Sequence, residues 1–187
     1  MFELFDKYVD WKILQRFLAS PGTYFYASQV AKELGISPSS ANNALKSFAE
    51  KGLLVAEEKG FARLYRLNKD NEAVKSLKRA YGIDRIQSLK PEELFLGADP
   101  DILSLALFGS FASGMFDEES DVDFIAVTPS KKELYVKPIK ELEDRLGREV
   151  NVAIFRLSEW RGLAKKEDAF YKNVVSNNVL LYGAGLK

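Results

Sequence analysis

Apolar residues in the first 70 positions recur at helical spacing and then, after position 52, at strand spacing. This pattern predicts three helices followed by two strands that a tight turn connects. The predicted helices are Phe2–Ala19, Gln29–Leu34 and 38–51, and the predicted strands are Leu53–Glu57 and Arg63–Leu67. Pro or Gly follows each helix and Gly60 lies in the turn, so a stop signal accompanies each predicted boundary.

From about position 99 the apolar residues alternate between strand-like and helix-like segments. The predicted strands are Leu103–Phe108, Val122–Val127, Glu149–Phe155 and Val179–Tyr182, and the last predicted helix is Glu159–Val175. Such alternation is typical of a small mixed sheet covered by helices. The sequence therefore predicts an α+β protein with a first domain at 1–70, a helical connector at 71–98 and a second, α/β domain at 99–187.

Composition restricts the chemistry that the chain can perform. Its 187 residues include no cysteine and no histidine, which excludes disulfides, zinc–thiolate sites and a cysteine nucleophile. It also removes the commonest general base, so carboxylates, hydroxyls, Lys, Arg or a bound metal must supply any chemistry. No apolar run approaches ~18 residues, and the early acidic residues of MFELFDKYVDWK argue against a signal peptide. We therefore expect a cytoplasmic protein without a membrane span.

The charge is divided between the two halves of the chain. Residues 1–80 carry 13 Lys and Arg against 9 Asp and Glu, whereas residues 81–187 carry 14 against 18. A net charge of +4 in the first part and −4 in the second suits a DNA-facing front half and a metal-binding back half.

The stretch GSFASGMFDEESDVD at 109–123 carries the strongest chemical signal. Gly109 and Ser110 end an apolar run, and ten residues separate them from Asp121 and Asp123 at the start of the next one. Alternate residues of a strand share a face, so the two carboxylates point the same way and can hold Mg²⁺ together with nucleotide phosphates. The glycine turn leaves backbone N–H groups free to approach those phosphates. The alternative is a solvated strand end beside an acidic turn.

This stretch resembles the signature of the nucleotidyltransferase superfamily, and of its minimal branch in particular. The matching residues are Gly109, Ser110, Ala112, Gly114, Ser120, Asp121 and Asp123. The resemblance covers about residues 100–185 and implies that the Gly-Ser turn contacts the triphosphate and that the Asp pair binds the metal. It makes Gly109, Ser110, Ser113 and Ser120 the candidate nucleotide-binding residues, with Mg²⁺ and ATP or another nucleoside triphosphate as ligands.

Two positions depart from the family pattern. The Arg that the family has between Ala and Gly is Ser113 here, which removes one phosphate contact. The third carboxylate of the family, which helps to activate the attacking hydroxyl, falls at Asn151, and an amide cannot act as a base. Glu149 lies two residues earlier and is the candidate replacement. We take Asp121, Asp123, Glu149 and Asn151 as the candidate catalytic residues and leave catalytic competence open.

The third predicted helix can be divided into a buried and an exposed face. Ala41, Ala44, Leu45 and Phe48 form the apolar stripe. The residues outside it are Ser39, Ser40, Asn42, Asn43 and Lys46. Hydroxyls and amides near a helix N-terminus suit reading of the major groove, and Lys59 and Arg63 of the hairpin could contact phosphates.

Residues 10–70 resemble the winged helix-turn-helix regulators of the ArsR and MarR type. The resemblance implies binding of double-stranded DNA as a homodimer. A winged helix used for protein contacts is the alternative, since the recognition helix has few cations.

Three hypotheses for function follow. The first is a transcription regulator whose nucleotidyltransferase-like domain binds a nucleotide and is catalytically degenerate. The second is an active minimal nucleotidyltransferase that modifies a hydroxyl of a protein or small molecule, for example a toxin-like partner. The third is a scaffold whose two domains only bind other proteins.

Overall fold

The computed structural model describes the chain from Met1 to Lys187, which forms two compact units, Met1–Tyr81 and Gly82–Lys187. The division falls inside helix α4, Glu72–Gln87. Residues 82–98, which the sequence assigns to the connector, therefore belong to the second unit. None of the helices combines the length and the apolar character needed to cross a membrane.

The first unit contains three helices and a small antiparallel sheet. Its helices are α1, Val9–Ala19; α2, Ala27–Leu34; and α3, Pro38–Glu50. Its strands are β1, Phe25–Tyr26; β2, Leu54–Lys59; and β3, Ala62–Leu67. The strand order is β1-β3-β2, and β2 and β3 form a hairpin whose turn has Gly60 at a positive φ of 64°.

Local sequence signals explain where these helices begin and end. The Ser37 hydroxyl accepts a hydrogen bond from the Ser40 amide at 3.0 Å, and Pro38 occupies the first position of α3. Proline fits there because that position needs no amide donor. Gly35 ends α2 in the left-handed conformation, as its lack of a side chain allows.

One apolar core lies between the helices and the sheet of the first unit. Its buried members are Ile13, Leu14, Phe17, Leu18, Phe25, Val30, Ala44, Leu45, Phe48, Leu54, Tyr65, Leu67 and Val74. The buried stripe expected for α3 is confirmed, because Ala41, Ala44, Leu45 and Phe48 are all buried. The helix expected at Phe2–Ala19 is not continuous. A 3₁₀ turn at Phe2–Phe5 precedes α1, which begins only at Val9.

The second unit is a four-stranded mixed sheet with helices. Its strands are β4, Ser104–Phe108; β5, Val122–Val127; β6, Val150–Phe155; and β7, Val179–Gly183. The helices that follow α4 are α5, Pro91–Ala98; α6, Gly109–Ser113; α7, Val136–Leu146; α8, Leu157–Lys165; and α9, Ala169–Ser176. The order is β6-β5-β4-β7, with β5 and β6 parallel and the other pairs antiparallel. This confirms the expected α+β class and the small mixed sheet.

The last helix that the sequence predicts, Glu159–Val175, is two helices. Glu167 has a positive φ of 52°, which interrupts the helical path between α8 and α9. The Asp168 side chain then accepts hydrogen bonds from the amides of Phe170 and Tyr171 and starts the second helix. The apolar residues keep helical spacing across the break, but the Asp168 cap starts a new helix there.

A buried carboxylate joins the end of α5 to the segment after β5. Asp99 is 1% exposed and accepts hydrogen bonds from the hydroxyls of Thr128, Ser130 and Tyr135 at 2.7, 2.8 and 2.7 Å. The amide of Asp101 donates to it at 3.1 Å. Burial alone would raise the pKa of Asp99, but the hydrogen bonds from these hydroxyls and this amide outweigh it and lower the pKa.

Replacement of Asp99 by Asn should destabilise the second unit by about 1–3 kcal/mol, because buried hydroxyl donors lose a charged acceptor. Since the pKa of Asp99 is lower in the folded state, its stabilisation is complete above about pH 4 and is lost as the pH falls through the folded-state pKa. Asp99→Asn should remove that part of the acid dependence. Urea unfolding followed by Trp160 fluorescence in a Trp11→Phe background measures both effects.

Asp101→Asn provides the matched control, because the Asp101 side chain is exposed and only its amide contacts Asp99. Equal losses of stability in the two variants would contradict the role of the buried carboxylate.

Candidate functional site

Two acidic side chains lie at the start of β5. Asp121 directly precedes the strand, and Asp123 is its second residue. Both are half-buried, and strand alternation puts them on the face that carries Ile125 and Val127 further along. The strand thus places the two carboxylates on one face, as the sequence pattern predicts.

The sheet register brings a third polar residue to the same level. In the parallel pair of β5 and β6, Asn151 lies beside Asp123. The Asn151 amide donates a long hydrogen bond of 3.4 Å to Asp121 Oδ2, and it also interacts with the Asp123 carboxylate. One amide thus bridges the two acidic groups and lowers their mutual repulsion without adding charge.

Asp123 is the more perturbed of the two carboxylates. Burial raises the pKa of Asp123, the hydrogen bond from Asn151 lowers it, and the negative charge of Asp121 raises it, with a net upward shift. A bound cation would reverse this shift, because it favours the ionised form of both carboxylates.

The glycine that directly follows β4, the antiparallel neighbour of β5, closes the other side of Asp123. Phe108 pairs with Asp123, and Gly109 then turns the chain into α6 with a positive φ of 71°. A β-carbon on Gly109 would clash with Asp123 Oδ2. Only glycine satisfies both the backbone conformation and this close approach. The glycine that the sequence places at a phosphate turn is therefore in contact distance of the acidic pair.

The two serines of α6 have different roles. The Ser110 carbonyl accepts hydrogen bonds from the amides of Met115 and Phe116, which closes the turn after α6. The Ser113 hydroxyl donates back to the carbonyls of Gly109 and Ser110 at 3.0 and 3.2 Å. The Ser113 hydroxyl therefore donates its hydrogen bond within its own helix. This is the position where the family signature has an Arg.

The connector between α6 and β5 is a hydrogen-bonded acidic turn. The Ser120 hydroxyl accepts from the Asp117 amide at 2.9 Å and donates to Asp117 Oδ1 at 2.8 Å. The same Asp117 oxygen accepts from the Glu119 amide. Ser120 thus shapes the turn that delivers Asp121 to the sheet.

Arg148, which the sequence did not single out, holds this connector in place. Its Nη1 donates to the Ser120 carbonyl at 2.8 Å, and its guanidinium lies 5.5 Å from the centre of the Phe111 ring in α6. Burial lowers the pKa of Arg148, as does the nearby Arg85, while Asp117, Glu118 and Asp121 raise it. One cation therefore links α6, the acidic turn and the start of β6.

Glu149, the candidate replacement carboxylate, lies just before β6, one residue before Val150, which pairs with Val122 of β5. It is exposed, and its backbone carbonyl accepts from the Val122 amide at 3.0 Å. No group of three or more His, Cys, Asp or Glu side chains lies close enough together to hold a metal ion. The donor set consists of two carboxylates and an amide. That set fits one Mg²⁺ that brings phosphate and water oxygens with it, and it does not form a complete protein cage.

The residues proposed to contact DNA lie on the surface of the first unit. Ser39, Ser40, Asn43 and Lys46 of α3 are exposed, as are Lys59 and Arg63 of the hairpin, and Asn42 is half-buried. Lys46 and Arg63 line one cavity of about 480 Å³ between α3 and the hairpin. Glu58 pairs with Arg63 across the hairpin and Glu50 lines the same cavity, so the local charge is mixed.

Comparisons with known proteins place this geometry in context. No curated protein matches the chain. The solved structures that resemble the chain include three with 16–19% identity to it. A toxin–antitoxin structure with AMP-PNP has 19% identity and a TM-score of 0.37, over 49% of this chain and 69% of that one.

The second solved structure is described as a possible transcriptional regulator from Methanosarcina mazei Go1. It has 16% identity and a TM-score of 0.35, over 48% of this chain and 78% of that one. The third is a tri-AMPylated Shewanella oneidensis HEPN toxin in complex with MNT antitoxin, with 18% identity and a TM-score of 0.36, over 54% and 72%.

A family model covers the candidate site itself. The span that it matches, residues 92–175, contains Gly109, the acidic pair, Arg148 and Asn151. Residues 92–175 of this chain match the nucleotidyltransferase domain family.

Proposed function

We propose that the second unit is a Mg²⁺-dependent nucleotidyltransferase that transfers a nucleoside monophosphate from a nucleoside triphosphate to a hydroxyl of a protein or small molecule. One observation carries the proposal. The Asn151 amide donates to Asp121, and the Asp123 carboxylate lies against the Gly109 backbone. All four residues are inside the span that matches the nucleotidyltransferase domain family. A paired carboxylate beside an open backbone turn is the arrangement that a metal-bound triphosphate requires.

In this proposal each residue has a defined task. Asp121 and Asp123 hold the cation, which when bound neutralises the phosphates and stabilises charge on the leaving group. The backbone at Gly109 and Ser110 lies against the phosphates. The acceptor oxygen forms a bond to the α-phosphorus, the bond to the β-phosphate oxygen breaks, and pyrophosphate leaves.

The proton of the acceptor hydroxyl needs a destination. In this proposal it passes to solvent water, because the Asn151 amide cannot accept it, the chain has no histidine, and Asp121 and Asp123 hold the cation. We therefore expect slow transfer. The amide instead positions the acidic pair, because it donates to Asp121 and interacts with Asp123.

Asp121→Asn and Asp123→Asn should each reduce transfer at least about 100-fold, since each removes half of the cation site. Neither should lower the free energy of unfolding, because both relieve repulsion within the pair. The measurement is incorporation of label from α-phosphate-labelled ATP and Mg²⁺ into host lysate. Asp144→Asn, an exposed carboxylate of α7, is the control. Full transfer activity in both Asp121→Asn and Asp123→Asn would contradict the proposal.

Asn151→Asp in the same assay tests whether the missing base limits the rate. General base catalysis contributes typically about 10²–10⁴-fold, so we expect this variant to exceed the wild-type rate at least about tenfold. If the wild type binds MgATP without transfer and only Asn151→Asp transfers, the native site is a nucleotide sensor instead of an enzyme.

Gly109→Ala and Gly147→Ala separate backbone strain from contact with Asp123. Both glycines have a positive φ, 71° and 64°, so each substitution should cost about 1–2 kcal/mol of stability. A β-carbon at Gly147 meets nothing within 4 Å, whereas one at Gly109 displaces the Asp123 carboxylate. Only Gly109→Ala should lose MgATP binding by calorimetry. Equal affinity in the two variants would contradict the assigned site.

We also propose that the first unit is a winged helix-turn-helix that binds double-stranded DNA as a homodimer. The order of its elements supports this: three helices are followed by a hairpin, and the short strand β1 pairs with β3. The exposed hydroxyls and amides of α3 suit the edges of bases, and Lys46, Lys59 and Arg63 suit phosphates. One copy of the chain presents few cations to DNA, and a homodimer would present twice as many.

Lys46→Ala and Arg63→Ala should each weaken DNA binding uniformly across sequences and reduce the salt slope by about one. Asn43→Ala should instead reduce the preference for the DNA upstream of the gene over random DNA. Electrophoretic shifts at several salt concentrations measure these effects, with Lys140→Ala in the second unit as the control. Binding that does not change with salt would contradict the proposed interface.

A further inference from the structure

A cavity of about 400 Å³ lies in the second unit, away from the acidic pair. It is bounded by α8, α9, the start of β4, the end of β5 and the segment 184–187, and it is partly open to solvent. The apolar part of its wall consists mainly of Leu103, Val127, Leu157, Trp160, Tyr171 and Leu186. Its volume falls within the range of about 300–1,000 Å³ that small-molecule sites occupy.

This cavity is separate from the candidate nucleotide site. Val127 is four residues beyond Asp123 on the same face of β5, which corresponds to about 13 Å along the strand. The fully buried side chains of Ile125 and Ala106 belong to the apolar cluster on this face. None of the proposed nucleotide-binding residues lines the cavity. Its occupancy therefore does not depend on the proposed function.

Hydrogen bonds fix the wall that the segment Ala184–Leu186 forms. Trp160 Nε1 donates to the Leu186 carbonyl at 2.9 Å, and the Ser104 hydroxyl donates to the Ala184 carbonyl at 2.6 Å. The Ala184 amide donates to the Leu103 carbonyl at 3.0 Å. Leu186 itself is 5% exposed. The cavity is thus bounded on this side by hydrogen-bonded backbone.

The charged side chains that line the cavity have one sign. They are the cations Arg161 and Lys187, and no Asp or Glu side chain lines the cavity. Both cations are exposed, whereas Trp160 is buried and lies 4.8 Å from Tyr171 between ring centres. A ligand in this cavity would therefore contact aromatic and aliphatic side chains inside it and cationic side chains at its rim. That combination complements a flat apolar body with one anionic group.

We propose that this cavity is a binding site for an aromatic monoanion, such as an arylcarboxylate or arylsulfonate. The aromatic body packs on Trp160 and Tyr171, and the anionic group faces Arg161. Apolar burial supplies most of the affinity, and the cation selects charged over neutral ligands.

The test uses 8-anilinonaphthalene-1-sulfonate as the probe and the full chain with Trp11→Phe. The protein has two tryptophans, so Trp160 is then the single energy donor. We expect saturable binding of one probe per chain, with loss of Trp160 emission and a matching gain of probe emission. The neutral analogue N-phenyl-1-naphthylamine should bind about three- to fivefold more weakly, the difference that one exposed ionic contact supplies.

Two substitutions and a control decide the outcome. Arg161→Ala is a surface change, and it should remove the preference for the anion while leaving the fold intact. Ala164→Phe fills the cavity and should abolish binding of both probes. Lys165→Ala, which alters the adjacent exposed cation outside the lining, should change neither. Absent or unsaturable binding overturns the proposal, as does an anion preference that survives Arg161→Ala.

Discussion

The second unit is organised around the close approach of the Gly109 backbone to the Asp123 carboxylate. A β-carbon at Gly109 would displace the Asp123 carboxylate, and the left-handed backbone of Gly109 directs the chain from β4 into α6. The antiparallel pairing of β4 with β5 fixes Asp123 from one side, and the parallel pairing of β5 with β6 fixes Asn151 on the other. A shift of either register by one residue would turn the carboxylate to the opposite face of the sheet.

Electrostatics sets the second constraint on this site. Burial lowers the pKa of Arg148, and the nearby carboxylates Asp117, Glu118 and Asp121 offset part of that shift. Arg148 is itself half-buried, and its bond to the Ser120 carbonyl anchors the residue before Asp121. An amide at Asn151 keeps a third negative charge out of this region. The repulsion between acidic groups is therefore smaller, and the site lacks the base that a third carboxylate would provide.

The sequence predicted six of the seven strands, because short apolar runs are bounded by polar residues, and it missed the two-residue strand β1. Val122–Val127 forms with the expected bounds, since Asp121 precedes the run and Pro129 follows closely. Helix continuity was predicted less well, because apolar spacing carries across Glu167, where a positive φ and the Asp168 cap start a new helix. The role of Arg148 was not predictable from one sequence. Its partner is a backbone carbonyl 28 residues away, and a carbonyl leaves no signal in residue type.

The division of charge gives the acidic pair a further property. The second half of the chain is net negative, and nucleoside triphosphates and DNA are both strongly anionic. Asp121 and Asp123 therefore repel a free triphosphate. A cationic side chain at position 113 would offset that repulsion, but this position is Ser113, whose hydroxyl donates to carbonyls of its own helix. Under the proposed function the metal must accompany the nucleotide into the site.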